Sequence, residues 1–439
     1  MKKPKIRVIG GGLAGAEAVY RLSREGFCVD LIEMKPVRKS PAHKLDTMCE
    51  LVCSNSLKSE SPTSASGLLK AEMRMLDSLV LQVADECRVP AGSALAVDRE
   101  LFSEKLDARL RALPGVNIIN EVADGIDTDD EDCYTIVATG PLTDDALMPA
   151  VRKLTGDGLY FFDAASPIIT AESIDYDSAF SMSRYGKGGN DYVNCPMDRE
   201  EYTAFYEALR DAECVELKDF EGDEVFEGCM PIEAMAKRGA DTMRFGPLRP
   251  VGLTDERTGK RPYAVLQLRQ ENEAATLYNL VGFQTHLTFP EQKRVFSMIP
   301  ALKNAEFVRF GVMHRNTYVN SPECLNPDLS AKACDRVYFA GQITGVEGYM
   351  ESAMCGIVAG LNLARRCKGE NPIRFPDTTI TGALIDYVTG GNCGGDFQPM
   401  NANFGILPKI ENVRDKAKRK EEYYLRATEA MRKVTEKPE

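Results

Sequence analysis

The apolar and polar positions of this chain change period along its length, and the changes mark its elements. Residues 5–11 (KIRVIGG) form a short apolar run ending in glycine, which predicts a buried strand. Over residues 13–25, Leu13, Ala16, Val19, Tyr20 and Leu22 share one helical face, while Glu17, Arg21, Arg24 and Glu25 are polar. Gly26 ends that helix, and residues 28–33 (CVDLIE) read as the next strand, completing a βαβ unit. Helical spacing then predicts one long helix over 66–86 and another over 98–112. CYTIVATGP, 133–141, reads as a buried strand running into a Gly-Pro turn.

From about 160 to 305 this rhythm is absent. A Gly-rich segment (RYGKGGND) and strands punctuated by Pro and Gly around PLRPVGL and PYAVLQLR predict an insertion of mixed character. Residues 336–340 (RVYFA) restore a parallel-type strand, followed by a glycine loop entering a helix of small residues. A charged helix is expected over 411–434. These changes divide the chain into 1–160, 161–305 and 306–439.

Composition narrows the class. The chain has 439 residues, room for two or three domains, with 44% hydrophobic and 27% charged residues, as in soluble globular proteins. No apolar run approaches the roughly 20 residues that span a bilayer. The start, MKKPKIRVIGG, enters a strand without a signal-type apolar region, so a cytoplasmic location is expected. The 13 cysteines form no CxxC pair, and with only three histidines no zinc spacing arises, so no metal site is expected. The net charge of −12 argues against an overall basic surface but leaves room for a local Lys/Arg patch.

The chemistry begins at the first glycines. Gly10, Gly12 and Gly15 form G-x-G-x-x-G between a strand and a helix, with Gly11, Leu13 and Ala14 completing the loop. Such a loop turns tightly, lets a pyrophosphate approach the backbone, and offers the N–H groups of the helix start to its charge. Glu33, at the end of the second strand, is placed to accept ribose hydroxyls. The late strand ending Ala340–Gly341, with Gly345 and Gly348 before a small-residue helix, points to FAD rather than NAD, the helix start facing the flavin ring. The expected fold is therefore α/β: a Rossmann-like FAD-binding domain assembled from both ends of the chain, with an α/β insertion.

Two thiols stand in conspicuous settings. Cys53 lies in the polar segment ELVCSNSLKS, and Cys229 in FEGCMPIE close to Glu233, Lys237 and Arg238. A neighbouring cation raises the thiolate fraction, whereas a buried free cysteine otherwise packs as a small hydrophobe. Cys49, four residues before Cys53, either packs or pairs with it. His43 is read as a loop- or flavin-positioning residue and Tyr349 as a ring near the flavin. Arg184, Lys187, Lys237, Arg238, Arg244 and Arg249 are candidate phosphate contacts of the insertion, and the run from Arg414 to Lys420 is another.

Together, IRVIGGGLAGAEA, LIEMKPV, PAH, ELVCSNSLKS, FEGCMPIE, RFGPLRPVGL, YNLVGFQT, HRNTYVNSP, FAGQITGVEGYMESA and NANFGILP closely resemble the folate- and FAD-dependent tRNA (uracil-5-)-methyltransferase family, in order from residue 5 to about 408. The resemblance implies reductive C5-methylation of the T-loop uridine of tRNA. Carbon would come from 5,10-methylenetetrahydrofolate and electrons from NADPH or NADH through FAD. It also implies catalytic roles for Cys53 and Cys229: one thiol adds to C6 of the uracil and the other serves near the flavin, as a partner thiol or as the base for the C5 proton. Cys229 is assigned as nucleophile, with the reverse assignment open. The same chemistry on a ribosomal uridine, a flavin-dependent NAD(P)H oxidoreductase and a non-catalytic RNA-binding flavoprotein are the competing readings.

Overall fold

The computed structural model describes residues 4–157, 159–186, 189–215, 230–390, 397–411 and 413–436. Two large sheets organise them. The first has the strand order Ser330–Ala331, Cys334–Phe339, Cys133–Val137, Lys5–Ile9, Val29–Glu33 and Val116–Asn120. Its pairings are parallel except that between the first two strands. Residues from both ends of the chain thus share one sheet. The strand starting at Lys5 sits centrally because Ile6, Val8 and Ile9 are all buried.

The helix Leu13–Arg24 follows the first strand and buries ten of its residues. It packs against the late helix Tyr349–Cys367 at a distance only glycine permits. A Cβ on Gly356 would lie 2.0 Å from the carbonyl oxygen of Ala14, and one on Gly360 would lie 3.0 Å from Ala18. This contact welds the two halves of the α/β domain.

The second sheet is antiparallel throughout. Its order is Phe180–Ser181, Tyr192–Met197, Ala264–Gln270, Leu277–Leu280, Ile168–Thr170 and Phe307–Arg309. The helices Arg199–Arg210 and Phe289–Phe296 cover one face, where Phe205, Phe283 and Phe296 form a second core. A two-stranded antiparallel ribbon, Leu159–Ala164 against Met313–Tyr318, carries the chain into this sheet and back.

One expected element is different. Residues 66–86 form two helices, Ala65–Met75 and Leu79–Glu86, rather than one. Asp77 between them adopts φ 57°. Ser78 caps the second helix through Leu81, and the buried Glu17 carboxylate accepts from Leu79 and Val80 at 3.2 and 2.9 Å. The side-chain capping of a fresh helix start outweighs a spacing that would have run straight through. Among the described residues, no helix is long and apolar enough to cross a membrane.

Candidate functional site

The carboxyl ends of the parallel strands open onto a cavity of about 1100 Å³ lined by Gly10, Gly11, Gly12, Leu13, Ala14, Glu33 and Gly341. Its far end is reached by Gln342, Tyr349 and Ser352. The three fingerprint glycines differ in purpose. Gly10 has φ 104°, and a Cβ there would lie 2.5 Å from the Ala138 carbonyl oxygen; one on Gly15 would lie 1.9 Å from that of Gly10. Both are packing requirements. At Gly12 a Cβ would meet nothing within 4 Å, so the space beside it is open.

That space suits a diphosphate. No side chain caps the helix at Gly12, which leaves its first N–H groups for a ligand. Glu33 accepts the N–H of Gly11 at 2.7 Å and that of Lys35 at 2.9 Å, which fixes its carboxylate at the cavity wall with lone pairs to spare for ribose hydroxyls. An elongated dinucleotide such as FAD fits these residues: an uncapped helix start, a bare glycine and an anchored acid lie along one cavity.

A second cavity of about 1010 Å³ adjoins the first. It is lined by Cys53, Ser54, Lys58, Glu347, Gly348 and Glu351, and shares Val52, Pro141, Leu142, Gln342 and Tyr349 with its neighbour. Cys53 therefore lines the second cavity, next to Val52, which borders both. Gly348 has φ 121°, and the helix it precedes also starts without a side-chain cap. In that helix Glu351 is fully buried; its Oε1 accepts Lys58 Nζ at 2.8 Å and the Ala402 N–H at 3.0 Å.

The Cys53 loop is held by groups from distant parts of the chain. Tyr349 accepts the N–H of Cys53 at 2.8 Å and of Ser54 at 3.3 Å. Arg99 donates to the Leu51 carbonyl at 2.6 Å, and Arg309 to that of Val52 at 2.5 Å. Arg269 donates to Ser54 Oγ at 2.6 Å and Asn55 Oδ1 at 2.9 Å. The fully buried Asn55 amide bonds the carbonyls of Val97, Gln270 and Glu271. Arg99 also pairs with buried Glu271 at 2.6 Å.

The electrostatics follow from this clustering. Burial lowers the Arg269 pKa, while burial and then the Arg99 charge lower that of Arg309. Burial opposes the charge on Arg99 too, but the Glu271 carboxylate holds its pKa above the usual value. Burial first, then the nearby Cys53, pushes the Tyr349 phenol well up, so it stays protonated at neutral pH. Three guanidinium groups against the Glu271 and Glu50 carboxylates leave a positive balance around the thiol loop.

Sequence reasoning located Cys53, Gly348 and Tyr349 but missed Arg99, Arg269, Arg309 and Asn55. The one local hint is Arg269, a charge inside the largely buried strand Ala264–Gln270. Cys229 and Lys187 lie outside the described residues; Met230, next to Cys229, is buried, and Glu233 accepts Thr285 Oγ1 at 2.8 Å and the His286 N–H at 3.0 Å. Cys49 forms no disulfide, so it is not paired with Cys53. Cys49 is buried, donates to the Gly11 carbonyl oxygen, and has its pKa raised strongly by burial, as suits a packing role. His43 lines the first cavity, its Nδ1 2.6 Å from Ser40 Oγ. Arg244 is engaged by Asp241 and by the Tyr263 ring, 3.6 Å from its centroid, whereas Lys237, Arg238 and Arg249 are exposed.

Residues 5–371 match the family model described as Glucose inhibited division protein A. The methylenetetrahydrofolate–tRNA-(uracil-5-)-methyltransferase TrmFO of Enterococcus faecalis is 54% identical over 98% of both chains, and that of Moorella thermoacetica is 54% identical over 97% of both. The TrmFO of Halalkalibacterium halodurans is 52% identical across the whole of both chains. This chain belongs to the TrmFO family. The structure of Aquifex aeolicus GidA in its form II crystal has the same fold at a TM-score of 0.71 and 18% identity, over 99% of this chain and 74% of that one. The family model and these relatives span both sheets, so the matched region includes both the parallel sheet and the antiparallel one.

Proposed function

We propose that this enzyme is a folate- and FAD-dependent tRNA (uracil-5-)-methyltransferase, transferring a one-carbon unit from 5,10-methylenetetrahydrofolate to C5 of the T-loop uridine with NADPH or NADH as reductant. The observation that carries the reading is the position of Cys53 in the wall of a second cavity that shares Val52, Gln342 and Tyr349 with the glycine-lined one. One is shaped for the dinucleotide and the other is free for folate and base.

When bound, FAD supplies the relay that moves reducing equivalents from nicotinamide to the transferred carbon. Gly11, Gly12, Leu13 and Glu33 would hold its diphosphate and ribose, and Gly341 and Tyr349, in the same cavity wall, would border its ring. The thiols act on the base. Uracil C5 is a weak nucleophile until C6 is attacked; a thiolate adding there places the electron pair at C5. That pair bonds the one-carbon unit as its bond to the donor nitrogen breaks, the C5 proton passes to a base, and two electrons drawn from the nicotinamide complete the methyl group as the thiol leaves C6. We assign the addition to Cys229 and the proton or a supporting contact to Cys53. Tyr349, Arg99 and Arg309 fix the Cys53 backbone in position.

A flipped uridine needs a cleft, and the second cavity, lined by Cys53, offers one. In this reading residues 1–160 and 306–439 form the cofactor-binding body and 161–305 the substrate-facing insertion. A tRNA substrate and the reducing nicotinamide pool place the enzyme in the cytoplasm.

The test is direct. Purified holoenzyme is incubated with unmodified tRNA transcript, label in the methylene carbon of the folate, and NADPH. Label at the T-loop uridine supports the proposal. Label confined to ribosomal RNA, or NADPH consumption with no label in any RNA, overturns it.

A further inference from the structure

The second sheet has two chemically different faces. Along the strand Ala264–Gln270, Ala264, Leu266 and Leu268 join the helix-covered core, while Val265, Gln267 and Arg269 face the opposite side. On that side Arg269 reaches Ser54, the neighbour of Cys53. Two residues back, Gln267 Oε1 accepts Arg184 Nε at 2.7 Å. Alternate residues on one strand face are about 7 Å apart. The group that docks Arg184 is therefore one such step from the group that docks the thiol loop.

Arg184 and its neighbours are built in a way that packing alone does not require. Arg184 donates also to the Val251 carbonyl at 2.8 Å, so its hydrogen-bond partners among the described residues are neutral and do not cancel its charge. Burial first, then the charge of Arg249, lowers its pKa, which places two like charges near each other. Arg249 is exposed and makes no ion pair among the described residues. Asp191, the acid of the same loop, is turned away to the Gly92 N–H at 2.7 Å. Tyr185 adopts φ 58°, a left-handed conformation that is uncommon for an aromatic residue, with its N–H bonded to the Gly252 carbonyl at 3.0 Å. Its ring lies over Gly252, where a Cβ would come within 2.9 Å, and the residue is 63% exposed.

We propose that Arg184, Tyr185 and Arg249 form an RNA-binding corner that seats the substrate over Cys53. The two guanidinium groups take backbone phosphates, and the Tyr185 ring stacks on an unpaired base of the loop next to the flipped uridine. The proposal rests on the RNA-methylation reading and names the part of the insertion that performs the recognition. An uncancelled cation pair beside an outward-facing ring, held in a costly backbone conformation, is the composition of a single-strand RNA platform.

The test uses holoenzymes carrying Tyr185→Ala, Tyr185→Phe and Arg249→Ala. It measures bound FAD, RNA-independent NADPH oxidation, binding of a labelled T-arm hairpin at two salt concentrations, and kcat and KM for tRNA. Tyr185→Ala is expected to weaken hairpin binding and raise KM by about 5- to 150-fold, the range for loss of one stacked base. Tyr185→Phe restores binding because the ring suffices. Arg249→Ala weakens binding and makes the salt slope shallower by about one. FAD content and NADPH oxidation stay at the wild-type level in all three. Hairpin affinity unchanged in both Tyr185→Ala and Arg249→Ala overturns the proposal while leaving wild-type methylation intact. A wild-type enzyme that methylates no tRNA overturns the functional reading instead.

Discussion

The hydroxyl of Tyr349 accepts the backbone N–H of Cys53 at 2.8 Å, across 296 residues of chain. The residue that opens the late helix thereby sets the height of the thiol above the cofactor cavity. Because burial and the neighbouring thiol keep the phenol protonated, this contact does not change with pH in the working range.

Tyr349→Phe deletes that acceptor and leaves two N–H groups of the thiol loop without it. An unsatisfied buried donor costs about 1–3 kcal/mol. Read as misplacement of Cys53, this lowers methylation kcat by about 5- to 150-fold. Absorbance of the bound flavin and single-turnover transfer of labelled carbon measure the two effects separately. Full flavin occupancy with slow transfer is expected; unchanged transfer would show that the hydroxyl does not position the loop.

The glycine loop permits a contrast between ligand exclusion and misfolding. Gly12→Val projects into open space, so the apoprotein keeps its melting temperature but purifies without FAD. Gly15→Ala drives a methyl group into the Gly10 carbonyl and lowers the melting temperature itself, at a cost of about 1–3 kcal/mol or more. Thermal melts of flavin-stripped protein, together with FAD stoichiometry, distinguish the two. Yellow Gly12→Val protein would remove the diphosphate from this loop.

Arg99 and Glu271 form a buried pair whose side chains are 9% and 4% exposed. Arg99→Met leaves the carboxylate unpaired and releases the Leu51 carbonyl, which is expected to destabilise the protein by about 3–5 kcal/mol. Adding Glu271→Gln recovers much of the loss. Urea denaturation of the single and double variants measures the coupling, and equal loss in both would mean that the pair contributes little.

Two buried carboxylates make stability depend on pH. Burial, only partly offset by hydrogen bonds from Ser78, Val80 and Leu79, raises the Glu17 pKa from 4.5 to about 7. Burial likewise raises Glu72 to about 7, against bonds from Thr381 and Ile380. Since the folded pKa exceeds the unfolded one, the folded state binds the extra proton. The stabilisation is complete below pH 4.5 and is lost as pH rises through 7, by at most about 3 kcal/mol per group. Urea midpoints between pH 5 and 8 should fall more steeply for the wild type than for Glu72→Gln. Parallel slopes would mean that Glu72 is ionised in the folded protein at both pH values.

Much of the α/β domain was legible because its signals are local. The fingerprint glycines follow an apolar strand, and the 3.6-residue spacing from Leu13 to Leu22 belongs to a helix buried on nearly every side. The strand and helix limits differ from the structure by a few residues. The break at Asp77 was not legible: Leu76 and Leu79 keep helical spacing, and the carboxylate that caps the second helix comes from Glu17, some 60 positions earlier. The thiol loop was visible as a motif, but its supports were not. Arg99, Arg269 and Arg309 start a helix, sit within a strand and end a strand, respectively, and only the packing of two sheets brings them to the Leu51 and Val52 carbonyls and the Ser54 and Asn55 side chains, on either side of Cys53.

The close seating of Gly356 on Ala14 has a consequence for biosynthesis. The helix Leu13–Arg24 leaves the ribosome some 340 residues before the partner that covers it. At about 5–20 residues per second, this interval is roughly 15–70 s. For that time an apolar helix and the central strand of a sheet must persist without their final neighbours. The order of synthesis thus makes the early α/β half a natural client of chaperones, and makes cofactor capture a late event that waits for the last quarter of the chain.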